Sequence, residues 1–481
     1  MGVIARLFQP DDERQLIGWL FLRALALIYF AAFLSLGVQI TGLAGPTGIL
    51  PFQEALDEAS RQYGGMAWLH LPTLFWLDSS DAALLGATIS GCVVSMLLLF
   101  NILPLASLIV LFALYLSLTH AGQIFLNFQW DYLLLESGFL AILWRWHPNR
   151  LVVLLFHWLL FRLRFMSGLS KIVSGDPTWA GLTTLDYYFE TQPLPQMGAW
   201  YAHQLPGWLL QTGTAFTLFV ELLVPFFIFL PRRFRLFAAG ATVLMQLLIL
   251  TTSNHNFFNL LTIVLCLFLL DDGVVRRVRG WIKTPLSIPL PHRRPAIVVS
   301  SLAAVLIFSS SLPLLYRMAT GDPLPDPLHR WTVNVRRFGL GNAYHVFPVM
   351  QTERVELEVE GSQDGLEWRP YRFLWKPQAL DHAPSFIVPH QPRLDWMLWF
   401  VPTQHPMQLY WFDRFLRRLW EGASSVEQLL AARPFPIGPP RYLRVTAYRY
   451  QFTTSAERDE NGQWWKREYL GIFPQIPPRR P

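Results

Sequence analysis

Lys171, Asp176, Glu190 and His203 fall in one stretch with Trp179, Tyr187, Trp200 and Tyr201. An amine, two carboxylates and an imidazole in an aromatic frame can line a site for an extended peptide or, with Lys171 as base, carry out proton transfer. The structural alternative is that these groups snorkel and hydrogen-bond, packing the stretch onto the helices beneath it. Farther on, Pro389 to Trp396 sets His390, Arg393, Asp395 and Trp396 between and beside two prolines. Trp and Arg are common binding anchors, so this segment is a candidate client-contact edge, as are Trp179, Trp200 and Tyr201. Because Met397-Leu398-Trp399-Phe400 follows directly, a loop that plugs inward is the slightly better reading.

The elements that must position these residues are dictated by solvent. Of the 481 residues 52% are hydrophobic and only 15% charged, with 20 Trp and 36 Phe, and the mean hydropathy is +0.30. Such usage fits a bilayer, which an α-helix crosses in about 20 apolar residues. About nine runs approach that length, two of them short enough to be re-entrant. They are Trp19 to Ile40, Ala82 to Asn101, Leu103 to Thr119, Trp130 to Trp146, Leu151 to Gly168, Thr212 to Leu230, Phe234 to Thr252, Phe257 to Leu270 and Ala296 to Tyr316. The fold expected is a polytopic α-helical membrane bundle over 1–316, with outer loops 41–81 and 169–211. Within it Glu136, Arg162, Arg164 and Glu221 are the costliest groups to bury. Glu136 and Arg162 are expected to pair, and His157 to be a hydrogen-bonded core residue.

Basic residues alternate between loops. Arg6, Arg14, Arg145, Arg150, Arg232, Arg233, Arg235, Arg276, Arg277, Arg279, Lys283, Arg293 and Arg294 fall on one side, and the opposite connections carry almost none. The positive-inside rule places the N-terminus in the cytoplasm and everything after Tyr316 outside. The net charge of +6 belongs to these loops, so no nucleic-acid partner is expected. Cys92 and Cys266 both lie inside crossings, so neither a disulfide framework nor a metal cluster is available, and no cofactor is expected. With no glycosylation sequon either, a bacterial inner membrane is the expected location.

After Tyr316 the prolines of Gly321-Asp322-Pro323-Leu324-Pro325-Asp326-Pro327 mark a linker over 317–330. Val355 to Glu360 alternates apolar and acidic residues as a half-buried strand, Ser362-Gln363-Asp364-Gly365 forms a turn, and Tyr442 to Thr453 alternates again. Trp411 to Leu430 has helical spacing. The region 331–481 is therefore expected to be a β-sandwich-like extracytoplasmic domain with helical insertions.

Several long words are specific. They include Phe165 to Trp179, Tyr187-Tyr188-Phe189-Glu190-Thr191-Gln192-Pro193-Leu194-Pro195, Asn256-Phe257-Phe258-Asn259-Leu260-Leu261-Thr262, Leu269-Leu270-Asp271-Asp272, Pro389-His390-Gln391-Pro392-Arg393-Leu394-Asp395-Trp396 and Asn461-Gly462-Gln463-Trp464-Trp465. In order and over most of the chain these resemble the lipase maturation factor family. The resemblance implies a non-enzymatic membrane maturation or folding factor whose partners are secreted client proteins, lipases above all; eukaryotic members sit in the endoplasmic reticulum. Ser167-Gly168-Leu169-Ser170-Lys171 followed by Trp179 is also similar to a segment of vitamin K-dependent carboxylases, which implies an alternative, a membrane-bound modifying enzyme with Lys171 as base. A transporter is disfavoured because no paired repeat is visible.

Overall fold

The computed structural model describes residues 6–278 and 293–474. The basic residues Arg279 and Lys283 of the charge reading lie outside the described residues. Among the described residues nine helices form the bundle: α1 (Gln15–Gly37), α2 (Asp81–Leu99), α3 (Pro104–Ala121), α4 (Gln129–Trp146), α5 (Arg150–Val173), α6 (Gly207–Leu222), α7 (Arg232–Leu250), α8 (Phe258–Leu265, continued as a 3₁₀ turn) and α9 (Arg293–Thr320). Six of them, α1, α2, α3, α5, α7 and α9, are long and apolar enough to cross a membrane. The other three fall short for visible reasons. Helix α4 carries Asp131, Glu136 and Arg145, α6 has 16 residues before a break at Leu223, and α8 has eight.

Local signals set the helix starts. The Ser80 hydroxyl accepts from the Ala83 amide to open α2, and Asn149 Oδ1 accepts from the Val152 amide to open α5. Pro104 occupies the first turn of α3, where its missing N–H costs nothing. Helix α5 is central: 89% of its core window is buried, against 28% for α2 and 33% for α7. It packs on α4, α6 and α9, while α1 lies against α2 and α8. The exposed faces of α2 and α7 are apolar, with Ile89, Val93, Leu244 and Leu248 more than half or about half exposed, as lipid contact requires.

One end of the bundle gathers the N-terminal segment, the α4–α5 connection and the α8 end. Pro10 bridges Asn149, Arg14 pairs with Asp11 at 2.8 Å, and Asp272 accepts from the Leu16 and Ile17 amides at 3.0 Å. At the opposite end Pro195 bridges Ser253, and the last domain docks there.

That domain contains a four-stranded antiparallel sheet of β1 (Arg354–Ser362), β2 (Arg369–Pro370), β3 (Tyr442–Phe452) and β4 (Trp465–Ile472), in the order β2-β1-β3-β4. The hairpin turn is built as its residues require, with the Ser362 hydroxyl accepting from the Gly365 amide and Gly365 at φ 79. Three expectations need correction. Among the described residues the domain has one sheet and not the two of a sandwich. The sheet residues Leu357, Val359 and Val445 share one continuous core with Trp411, Phe412 and Phe415 of the helix Pro406–Trp420 and with the membrane helices, so helices stand where a second sheet would. Nor is β1 half-buried, because basic neighbours cover its acidic face: Glu356 pairs with Arg354 and Lys376, Glu358 with Arg467, and Glu360 with Arg444. The helix expected over Trp411 to Leu430 ends at Trp420 and resumes briefly at Ser424–Glu427.

Candidate functional site

The proposed quartet of Lys171, Asp176, Glu190 and His203 divides among different partners. Lys171, in the last turn of α5, is 4% exposed, with its Nζ 2.8 Å from Glu221 Oε2, 2.9 Å from Ser167 Oγ and 2.8 Å from the Val346 carbonyl. Its ammonium also lies 5.0 Å from the centre of the Trp179 ring. An ammonium has three protons, and it donates to Ser167 Oγ and to the Ser167 and Val346 carbonyls, with Glu221 Oε2 as its counter-ion. Each of these neighbours can accept a hydrogen bond, a setting suited to an ammonium more than to a base with a free lone pair.

Asp176 ends the loop after α5. Its Oδ1 accepts from the Thr178 amide and hydroxyl, and its Oδ2 from the Met350 amide at 3.0 Å. Burial acts to raise its carboxyl, but these hydrogen bonds outweigh it and hold the group below the ordinary range. Glu190 instead faces the sheet. Its Oε2 accepts from the Phe452 amide at 2.6 Å and lies 3.9 Å from His203 Nε2. Burial raises the Glu190 carboxyl and lowers the His203 imidazole, so both are pushed toward their neutral forms.

The aromatic candidates are mostly internal. Trp179 and Trp200 are buried, and their indole N–H groups donate to the Phe347 carbonyl and the Thr453 hydroxyl. Tyr201 is 52% exposed, edge-on to Trp200 and Trp464. In Pro389 to Trp396, Pro389 is exposed, His390 is half-buried and 2.9 Å from Ser35 Oγ, and the rest is buried. Arg393 makes a two-pronged ion pair with Asp131 of α4, at 2.7 and 2.8 Å, and donates to the Phe125 carbonyl. Asp395 accepts from the Trp375 and Lys376 amides, and Trp396 packs edge-on to Trp130. This segment therefore clamps the C-terminal domain to the bundle, aided by Gln391 and Gln39, which bond across the same junction.

Sequence reasoning did not assemble the polar centre between α5, α6, α7 and α8. Glu221 of α6 takes the Arg164 guanidinium at 2.7 Å, the Ser167 hydroxyl at 3.2 Å and the Lys171 ammonium. The helices meet closely because residue 168 is Gly: a Cβ there would lie 2.8 Å from Glu221 Cβ and 3.0 Å from its carbonyl carbon. Gln246 and Asn259 face the same cavity of about 100 Å³. A second buried pair, Glu136 with Arg162, lies between α4 and α5, with the Tyr344 hydroxyl donating to Glu136 Oε2 at 3.1 Å.

A bundle with six membrane-length helices, buried ion pairs on its central helix and a sheet domain clamped to one end defines a multi-pass integral membrane protein. The family model described as the lipase maturation factor transmembrane domain matches residues 16–277, and that of the lipase maturation factor C-terminal domain matches 340–474. Lipase maturation factor 2 of Gallus gallus is 35% identical, over 94% of this chain and 80% of the relative. Lipase maturation factor 2 of Homo sapiens is 34% identical over 95% and 82%, and lipase maturation factor 1 of Mus musculus is 34% identical over 95% and 86%. The chain belongs to the lipase maturation factor family. No solved structure shows significant similarity to it. The carboxylase-like alternative gains no support from these matches or from the geometry at Lys171 Nζ.

Proposed function

We propose that the protein is a membrane-embedded maturation factor that assists folding and assembly of secreted clients, lipases among them. The observation that carries this reading is the match to lipase maturation factors through both membrane and C-terminal regions. In this reading all nine helices cross or enter the bilayer, and residues 1–316 form the membrane domain. Residues 317–330, which include the last turn of α9 and the start of a helix at Asp326–Arg336, join it to an outer domain over 331–481. The N-terminus faces the cytoplasm and the outer domain the compartment of the clients, across a bacterial inner membrane or, in a eukaryotic cell, the endoplasmic reticulum membrane. The alternation of basic loops supports this orientation.

Client contact is assigned to the outer end, around the exposed Tyr201 and the half-buried His390. Buried Trp179, Trp200, Arg393, Asp395 and Trp396 support that surface from below. A photoreactive residue at position 201 tests this in intact cells. Capture of secreted polypeptides is expected. Labelling of lipids alone, with the same probe at Tyr410 on the exposed face of the outer domain giving an equal polypeptide yield, would overturn the assignment of the surface.

A further inference from the structure

We infer that the cavity between α5, α6, α7 and α8 binds the carboxylate head of a single-chain membrane amphiphile, a long-chain fatty acid. Charge is the first reason. Arg164 and Lys171 both contact Glu221, all three side chains are 4–5% exposed, and no other carboxylate contacts either cation among the described residues. Two cations against one anion leave one positive charge buried beside the cavity. A bound anion removes the cost of leaving that charge uncompensated.

Unspent hydrogen-bonding capacity is the second. Gln246 is 1% exposed and neither its amide nitrogen nor its oxygen has a partner; Asn259 Nδ2, Arg164 Nε and His255 Nδ1 also lack a hydrogen bond, as does Glu221 Oε2 apart from its ion pair with Lys171. Buried polar groups are nearly always satisfied, so this set points to something that fills the space. Gln246 Nε2, Asn259 Nδ2 and Arg164 Nε are donors, and an ionised carboxylate is an acceptor only. The cavity of about 100 Å³ is well above the roughly 10–15 Å³ that one water needs on the same measure, which leaves room for a carboxylate head with bound water.

Access is the third. Leu185, Thr217 and Ile249 line the cavity and are only half-buried, and α7 turns an apolar face outward at Leu244 and Leu248. A hydrocarbon tail can leave between α6 and α7 into the bilayer while the head stays at the ion cluster. The site is independent of client contact at Tyr201.

The test uses the full-length protein in phosphatidylcholine nanodiscs with radiolabelled oleate. Saturable binding is expected, unaffected by methyl oleate, which has the chain without the charge. Gln246→Leu should weaken binding about tenfold or more, as loss of a hydrogen bond to a charged group does. Its melting temperature should not fall, because an unsatisfied buried amide is removed. Equal competition by methyl oleate, tighter binding of lysophosphatidic acid than of oleate, or unchanged affinity in Gln246→Leu would overturn the proposal. If Gln246→Leu does not fold, Thr217→Trp narrows the mouth without touching the charged groups. Undiminished oleate binding by that variant would overturn it equally.

Discussion

Arg393→Ala should uncouple the outer domain from the bundle. Arg393 and Asp131 are 1% and 0% exposed, and they are joined by two hydrogen bonds of 2.7 and 2.8 Å. Removing the guanidinium leaves the Asp131 carboxylate with the Tyr115 hydroxyl at 2.6 Å and no positive partner, and it strands the Phe125 carbonyl. Breaking a buried pair from one side costs about 3–5 kcal/mol, because the remaining charge stays desolvated. The exposed Arg449–Glu468 pair at 2.8 Å is the internal control, and Arg449→Ala should cost only about 0–1 kcal/mol. Denaturant unfolding in detergent, followed by limited proteolysis of the outer domain, reads both. A cycle with Asp131→Asn sharpens the test: the double variant should lie at least about 1.5 kcal/mol closer to wild type than the sum of the singles. Additivity within about 0.5 kcal/mol would refute the clamp, since residues in one network do not add.

Three further outcomes follow from the same geometry. Gly168→Val should lower the melting temperature by the equivalent of about 1–3 kcal/mol, because its side chain enters the backbone of Glu221; thermal unfolding of the purified variant checks it. Glu136→Gln leaves Arg162, which is fully buried, with neutral partners only, and should cost about 3–5 kcal/mol in the same assay. Asp395 is pushed up to about 6 by burial, against the pull of the Trp375 and Lys376 amides and the Lys376 charge. A folded-state value above the ordinary 3.8 means that the native chain holds this proton more tightly than the unfolded one. Its stabilisation is complete below about pH 4 and is lost as pH rises to about 6, an effect of about 3 kcal/mol. Asp395→Asn should therefore flatten the stability profile across that window, and an unchanged slope would count against it.

Much of the bundle was legible because crossing a bilayer imposes a length and an apolar composition on each helix. Each apolar run of the sequence is helical, and the expected Glu136–Arg162 pair forms because neither charge could be left alone at that depth. His157 hydrogen-bonds the Phe268 carbonyl at 2.9 Å, as a core histidine should. The Lys171 site was only half legible. Lys171 was visible by its type, but Glu221 lies fifty residues away, and helix-to-helix pairing carries no local sequence period. Gln246 stood as a lone amide in an apolar run, and Asn259 lay within a conspicuous Asn-rich word; those were the available signals. The sandwich expectation failed because alternation in Val355 to Glu360 reports a covered face without naming what covers it. Salt bridges buried the acidic face as well.

The central claim is maturation of secreted clients, and the most direct measurement is lipase specific activity. A secreted dimeric lipase would be expressed in cells lacking their own family member, with and without this chain, and its activity divided by secreted lipase mass. The account expects a severalfold rise with the chain present, retained in Lys171→Arg, which keeps the charge but cannot serve as a lysine base. An unchanged ratio at full abundance of the chain would contradict the account.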